Sequence, residues 1–324
     1  MFESIILFAI GLVLLIKGGD WFVDGATGIA KRFHLPDIVV GATVVSIGTT
    51  LPEVMVSTTG ALTGSGAMAY GNAIGSIICN TALIAAISIV CNPGPVNTKS
   101  MKTPAVFFFA SAGLYCLASY VLGTFPRWMG FVMLTIFVVY MVLTVRNGMR
   151  NPDEAEQDEE EESKQRTLFM ELFLLVVGAA VIAVGADLLV EHGQIIAREL
   201  GVPETVVALL FVALGTSLPE LVTTITSLKK GRASLGVGNV IGANVFNLVL
   251  VSGVAVSLAP FDVPCENFLL DTGLNMSLVF EIPVMLGVMS LMIFPTLASK
   301  KLARWQGILL LGIYVAFCIC QFIL

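Results

Sequence analysis

The chain predicts an all-α integral membrane protein in which ten transmembrane helices form two five-helix repeats of inverted topology. Three observations carry this expectation: a hydropathy far above that of soluble domains, a one-sided distribution of Lys and Arg, and an ungapped internal repeat. Of 324 residues, 56% are hydrophobic and 12% charged, and the mean hydropathy is +0.93, outside the range of soluble globular proteins. Asp153, Glu154, Glu156, Asp158, Glu159, Glu160, Glu161 and Glu162 lie in one run and account for more than the whole net charge of −6. The acidity is therefore local, and no basic face for nucleic acid accompanies it.

A hydrocarbon core about 30 Å thick takes roughly 20 apolar residues per helix. Scanning at that length gives spans at 3 to 28, 37 to 62, 67 to 91, 103 to 122, 126 to 147, 168 to 196, 203 to 228, 233 to 258, 274 to 295 and 302 to 323. The first is read as a retained helix, because Glu3 stands where a signal peptide carries basic residues. Residues 148–167 hold the acidic run and read as a hydrated linker between a first repeat, 1–147, and a second, 168–324. Cys79, Cys91, Cys116, Cys318 and Cys320 fall in apolar stretches and read as small hydrophobes, with Cys265 alone in a polar loop. Neither a disulfide framework nor a zinc spacing is visible.

Positive charge accumulates in cytoplasmic connections. Of the 17 Lys and Arg, only Arg127 and Arg198 fall in even-numbered connections, and Lys17 lies within the first span. The bias puts both termini outside and the linker in the cytoplasm.

A shift of 167 residues aligns the halves from Gly11 to Asn80 without a gap. Gly48-Thr49-Thr50-Leu51-Pro52-Glu53 falls on Gly215-Thr216-Ser217-Leu218-Pro219-Glu220. Gly71-Asn72-Ala73-Ile74-Gly75 falls on Gly238-Asn239-Val240-Ile241-Gly242, and Asn80 on Asn247. Five spans per half is an odd number, so equivalent helices cross in opposite directions. That is a transporter architecture, with its site at the midplane between repeats.

Glu53 and Glu220 lie near the middle of their spans, where an ionised side chain costs at least ~2.5 kcal/mol and is functional by default. Pro52 and Pro219 each crowd the carbonyl four residues back, at Gly48 and Gly215. The freed oxygens are expected to face the cavity that holds the acids. Ser76 and Asn80, four residues apart, lie on one helical face, with Asn247 as the counterpart of Asn80. Gly71, Gly75, Gly238 and Gly242 form pairs that read as close helix packing. Carboxylates, hydroxyls, amide oxygens and carbonyls together suit a hard cation, and two carboxylates match one Ca²⁺ or a set of Na⁺ or H⁺. Mg²⁺ suits such a site less, because it gives up its water reluctantly.

The two motif pairs, G-T-T-L-P-E with G-N-A-I-G-S-I-I-C-N and G-T-S-L-P-E with G-N-V-I-G-A-N-V-F-N, resemble the α-repeats of the cation/calcium exchanger superfamily, most closely those of prokaryotic sodium/calcium exchangers. The resemblance implies that Glu53 and Glu220 bind Ca²⁺ together with the carbonyls of Thr49 and Thr216. It also implies that Thr50, Ser217 and Ser76 help form flanking Na⁺ sites, with Asn80 at the centre. Two departures stand out: Asn247 occupies a position where these exchangers often carry Asp, and Ala243 one where they carry Ser. The first leaves the Ca²⁺ charge balance intact and the second weakens one flanking Na⁺ site.

The expected function is a secondary antiporter exchanging Ca²⁺ for Na⁺ by alternating access, with H⁺ and K⁺ as further candidate counter-ions. A Ca²⁺/H⁺ exchanger on the same fold is the alternative, ahead of a passive cation channel. An enzyme is not expected, since no phosphate loop, nucleophile elbow or catalytic metal triad occurs. The expected partners are the transported cations and the lipid bilayer, with no cofactor, and one chain is expected to suffice for transport.

Overall fold

The computed structural model describes residues 2–150, 167–200, 215–264 and 275–323, and most of these are helical. In chain order the helices are α1 (Phe2–Arg32), α2 (Asp37–Leu62), α3 (Gly66–Cys91), α4 (Thr98–Leu122), α5 (Arg127–Arg150), α6 (Leu168–Glu199), α7 (Leu218–Lys229), α8 (Ala233–Leu258), α9 (Ser277–Ser299) and α10 (Arg304–Ile323). Among the described residues nine are long and apolar enough to cross a bilayer. The exception is α7, because the seventh predicted span begins within residues 201–214, outside the described residues. The acidic run lies outside them too.

Burial separates the helices into a centre and a rim. The membrane window of α8 is 83% buried, whereas that of α10 is 17% buried. Large apolar side chains such as Ile10, Val13 and Ile16 on α1 and Phe173 and Val176 on α6 point outward, as expected where lipid is the solvent. In the centre, α8 packs against α2, α3 and α7, which brings the helices carrying the repeated motifs into one bundle.

The peripheral helices α1 and α6 lie antiparallel along nearly their whole length. A Cβ on Gly11 would come within 2.9 Å of the Gly185 carbonyl oxygen, and one on Gly25 within 2.6 Å of the Glu171 carbonyl oxygen. Only glycine permits this backbone approach, the small-residue logic of helix packing in lipid. Arg32 closes one end of the pair on Glu171 at 2.9 Å. Asp20 faces Lys230, just past the end of α7, at 3.7 Å, and Asp24 holds the same ammonium at 2.7 Å. Arg232 pairs with Asp37 at 3.1 Å. Arg32, Glu171, Asp37, Lys230 and Arg232 lie at or beside helix ends that meet odd-numbered connections, whereas Asp20 and Asp24 lie within α1.

Two short antiparallel ribbons join the halves. β1 (Gly94–Pro95) pairs with β4 (Lys301–Leu302), and β2 (Thr124–Phe125) with β3 (Phe261–Asp262). The first links two odd-numbered connections and the second two even-numbered ones, as alternate crossing requires.

Several central helices contain a π-helical stretch, at Gly41–Val45 in α2, Asn80–Ala85 in α3 and Asn247–Val251 in α8. Such a widened turn takes a carbonyl out of the regular ladder and often marks a functional position. Ser46 donates to the Gly41 carbonyl at 2.8 Å and Ser252 to the Asn247 carbonyl at 2.9 Å, so short side chains satisfy two of the oxygens.

Candidate cation-binding site

Thr49 and Glu53 are four residues apart on α2 and therefore occupy one face, and both are buried, as is Thr50. Pro52 lies inside the helix, as its place in the motif predicts. The second repeat differs. Pro219 sits in the first turn of α7, where its missing N–H interrupts nothing, and Gly215, Thr216 and Ser217 form a turn before the helix. The Gly215 carbonyl accepts a 3.4 Å bond from the Leu218 amide. The expectation of a proline-freed oxygen at Gly215 is thus corrected: the backbone departs from helix here by a turn, because the described helix begins only at Leu218.

The structure brings the two acids together. Glu53 and Glu220 are fully buried, Glu220 lies near enough for its charge to act on Glu53, and Thr49 lies beside Glu220. Cross-links between the repeats hold this arrangement. Thr49 donates to Asn239 Oδ1 at 3.1 Å, and Thr216 donates to Asn72 Oδ1 at 3.4 Å. Since Asn72 and Asn239 are separated by the same 167 residues as Thr49 and Thr216, the two contacts are equivalent under the repeat. Asn72 also donates to Ser57 at 2.8 Å and to the Glu53 carbonyl at 3.3 Å.

Asn80 and Asn247 each open a π-helical stretch and are completely buried. Both carboxylate oxygens of Glu53 and of Glu220, both amide atoms of Asn80 and of Asn247, and the hydroxyls of Thr50 and Ser217 have no protein hydrogen-bond partner. An unpaired buried polar group costs about 1–3 kcal/mol, and more when charged. So many on four adjacent helices mark a place built to receive something polar rather than a packing core. Ser76 is buried on the same face of α3 as Asn80, while Thr216 is half-buried. Ala243, the counterpart of Ser76, is buried and offers no oxygen.

The acceptors are oxygens of carboxylate, amide and hydroxyl type, the donor set of a hard cation. Among the described residues no three His, Cys, Asp or Glu side chains form a metal cluster. The negative charge of the arrangement comes from Glu53 and Glu220, and neutral oxygens surround them.

Sequence reasoning missed three members of this neighbourhood. Asn72 and Asn239 stood in the repeated Gly-Asn motif at the correct offset, and their polarity inside a span was the available signal. Cys79 was read as a small hydrophobe, yet it follows Ser76 by three residues and so borders the same face, and its Sγ accepts from the Tyr314 hydroxyl at 3.9 Å.

A family model described as sodium/calcium exchanger protein matches residues 3–146 and 170–323. The chain belongs to the sodium/calcium exchanger family. Within that family it is 30% identical to the sodium/calcium exchanger MaX1 of Methanosarcina acetivorans over 98% of each chain. It is 34% identical to the putative antiporter CaxA of Alkalimonas amylolytica over 80% of this chain and 82% of that protein. Its structure superposes on that of the sodium-calcium exchanger NCX_Mj with a TM-score of 0.79 and 31% identity, covering 97% of both chains. Membership of the exchanger family fits the two motif pairs and the cross-linked repeats described above.

Proposed function

We propose that the protein is a secondary antiporter that exchanges Ca²⁺ for Na⁺ across a prokaryotic cell membrane by alternating access. The observation that carries this reading is the convergence of Glu53 and Glu220 with unpartnered neutral oxygens at the junction of two inverted repeats in a sodium/calcium exchanger family member. Two carboxylates balance one Ca²⁺, and when Ca²⁺ leaves, Na⁺ ions at the same carboxylates and at flanking hydroxyls restore that balance. In this reading the carbonyls of Thr49 and Thr216 join the carboxylates around Ca²⁺. Thr50, Ser217 and Ser76 serve the flanking Na⁺ positions, and Asn80 and Asn247 occupy the centre. A single chain carries both half-sites and transports alone. Repeats 1–147 and 168–324 form the transport unit, and linker 148–167 is a cytoplasmic connector with both termini outside.

One observation favours a second reading, Ca²⁺/H⁺ exchange: Ala243 removes a hydroxyl from one flank, which weakens Na⁺ binding while leaving the carboxylates able to take protons. Ca²⁺ uptake into proteoliposomes of the purified chain, driven in turn by Na⁺, K⁺ and H⁺ gradients, tests both. Uptake that follows the Na⁺ gradient supports the first reading. Uptake driven by a proton gradient in Na⁺-free vesicles and indifferent to Na⁺ replaces it with the second.

A further inference from the structure

The meeting of α3 and α8 is polar on one side of the candidate site and apolar on the other. Asn244 on α8 donates its amide to Thr81 Oγ1 at 2.7 Å and to Met289 Sδ at 3.1 Å, and Thr81 donates to the same sulfur at 3.1 Å. All three side chains are fully buried. A thioether only accepts, so the amide nitrogen has to face Met289, and Asn244 Oδ1 is left buried without a protein partner. Thr81 follows Asn80 and Asn244 stands one turn before Asn247, each toward the odd-numbered connections. The 167-residue shift that relates Glu53 to Glu220 relates Asn244 to Ile77 and Thr81 to Leu248, so the equivalent positions toward the even-numbered connections hold only hydrocarbon.

The same asymmetry continues along both helices. Val237 lies on the Asn244 face of α8, two turns or about 10 Å further on. With Ser88 and Asn92 of α3, and with Ser234, Gly94 and Leu302, it lines a cavity of about 240 Å³ among the odd-numbered connections. The repeat relates Ser88, Asn92 and Ser234 to Ala255, Ala259 and Ala67, and Val237 and Gly94 to Tyr70 and Phe261. At that end Phe125, the ribbon partner of Phe261, meets it at 5.3 Å and Tyr70 at 6.0 Å between ring centroids. Rings and methyl groups there take the place of a cavity bordered by hydroxyls and an amide. Ile241, one turn from both Asn244 and Val237, is fully buried and closes the way between cavity and site in this structure.

We propose that the α3–α8 seam is the route by which Na⁺ passes between the ion site and the cytoplasmic face, with Asn244 Oδ1 as its first relay oxygen and Ile241 as its gate. This rests on the proposed exchange of Ca²⁺ for Na⁺ and on the proposed orientation. Neither α3 nor α8 carries a charged residue. Ca²⁺ affinity rises with the charge of its ligands, so a path of hydroxyl, amide and carbonyl oxygens favours the monovalent ion. Thr81 and Met289 are positioning residues: they take up the hydrogens of the Asn244 amide and leave its oxygen to the ion. Toward the outer face hydrocarbon and stacked rings bar the equivalent path, so the part played by Asn244 is confined to one face.

The test measures Na⁺ dependence from each face separately, in right-side-out and inside-out vesicles carrying the full chain. Asn244→Ile, which copies the other repeat, should raise the half-saturating Na⁺ concentration at the cytoplasmic face about fivefold, the worth of one neutral oxygen contact. The outer-face value should stay at that of wild type. Equal shifts at the two faces, or an unchanged cytoplasmic value, overturn the proposal, since a residue that only holds the bundle together moves both faces alike. Val237→Tyr, which copies Tyr70 into the cavity and leaves the Asn244 contacts intact, is the second variant. It should slow Na⁺-driven flux when Na⁺ is supplied at the cytoplasmic face and not when it is supplied outside, and equal rates from that face in variant and wild type overturn the route. Ca²⁺ flux in wild type that ignores Na⁺ at both faces overturns the exchange reading itself, and the Na⁺ route with it.

Discussion

In the first repeat Asn72 donates to Ser57 and to the Glu53 carbonyl and accepts from Thr216 across the repeat boundary. In the second, Asn239 accepts from Ser46 and Thr49 of the first repeat, while its amide nitrogen and the hydroxyl of Thr224, the counterpart of Ser57, have no protein partner. Both asparagines thus fasten α2, one from within its own repeat and one from the other. Among the described residues, the segment that leads into α7 is hydrogen-bonded to this pair only through the 3.4 Å Thr216 contact. Beyond its packing on α8, α7 is attached to α1, through Lys230 with Asp20 and Asp24 and through Val222 and Thr226 packed on Gly19. The same motif therefore builds one wall tied by several side-chain hydrogen bonds and another tied by fewer. Segments with fewer fixed hydrogen bonds open at lower free energy, and repeats that must rock against each other need such a division.

The largest expected effect ignores this difference. Glu53→Gln and Glu220→Gln should each abolish Ca²⁺ uptake in proteoliposomes while leaving an inserted, folded protein, because each removes half the charge of the site and almost none of its volume. Uptake near the wild-type level in either variant would remove that residue from the site.

Next in size come the asparagines, where the halves should part. Asn72→Ala breaks contacts to three groups and Asn239→Ala contacts to two hydroxyls, each lost bond being worth about 1 kcal/mol and more where a buried partner is stranded. Asn72→Ala should therefore lower the detergent-solubilised melting temperature more than Asn239→Ala. The reverse order would show that the crosslink from α8, rather than the ties within the first repeat, holds the bundle.

A smaller effect is expected from making the halves more alike. Ala243→Ser supplies the hydroxyl that Ser76 provides in the first repeat, and with Na⁺ as counter-ion the half-saturating Na⁺ concentration for Ca²⁺ exchange should fall. An unchanged Na⁺ dependence, with transport still driven by a proton gradient alone, favours Ca²⁺/H⁺ exchange. The smallest effect belongs to the linker: deleting residues 153–162 should leave uptake within about twofold of wild type, because a dense charge run stays hydrated and outside the repeats. Loss of flux in a correctly inserted deletion would give the run a working role.

The chain alone determined the membrane class, the positions of nine spans among the described residues and the pairing of Glu53 with Glu220. Apolar length, charge placement and a fixed offset are local or periodic properties, and a bilayer leaves the backbone few ways to answer them. The motifs also named Glu53, Glu220, Thr50, Ser217, Asn80 and Asn247, whose side-chain polar atoms stand unpartnered in the structure, since a polar group inside an apolar span is visible without coordinates. Three things depended on the tertiary fold. Asn72 and Asn239 reach across the repeat boundary, and which hydroxyl they meet follows from how closely α2 and α8 approach. Pro219 begins a helix while Pro52 lies within one, although the surrounding letters are nearly the same. Cys79 looked like any small apolar residue until the packing of α10 set the Tyr314 hydroxyl against its sulfur. In each case the deciding quantity is a distance between residues far apart in sequence, fixed by how neighbouring helices pack and absent from any one segment.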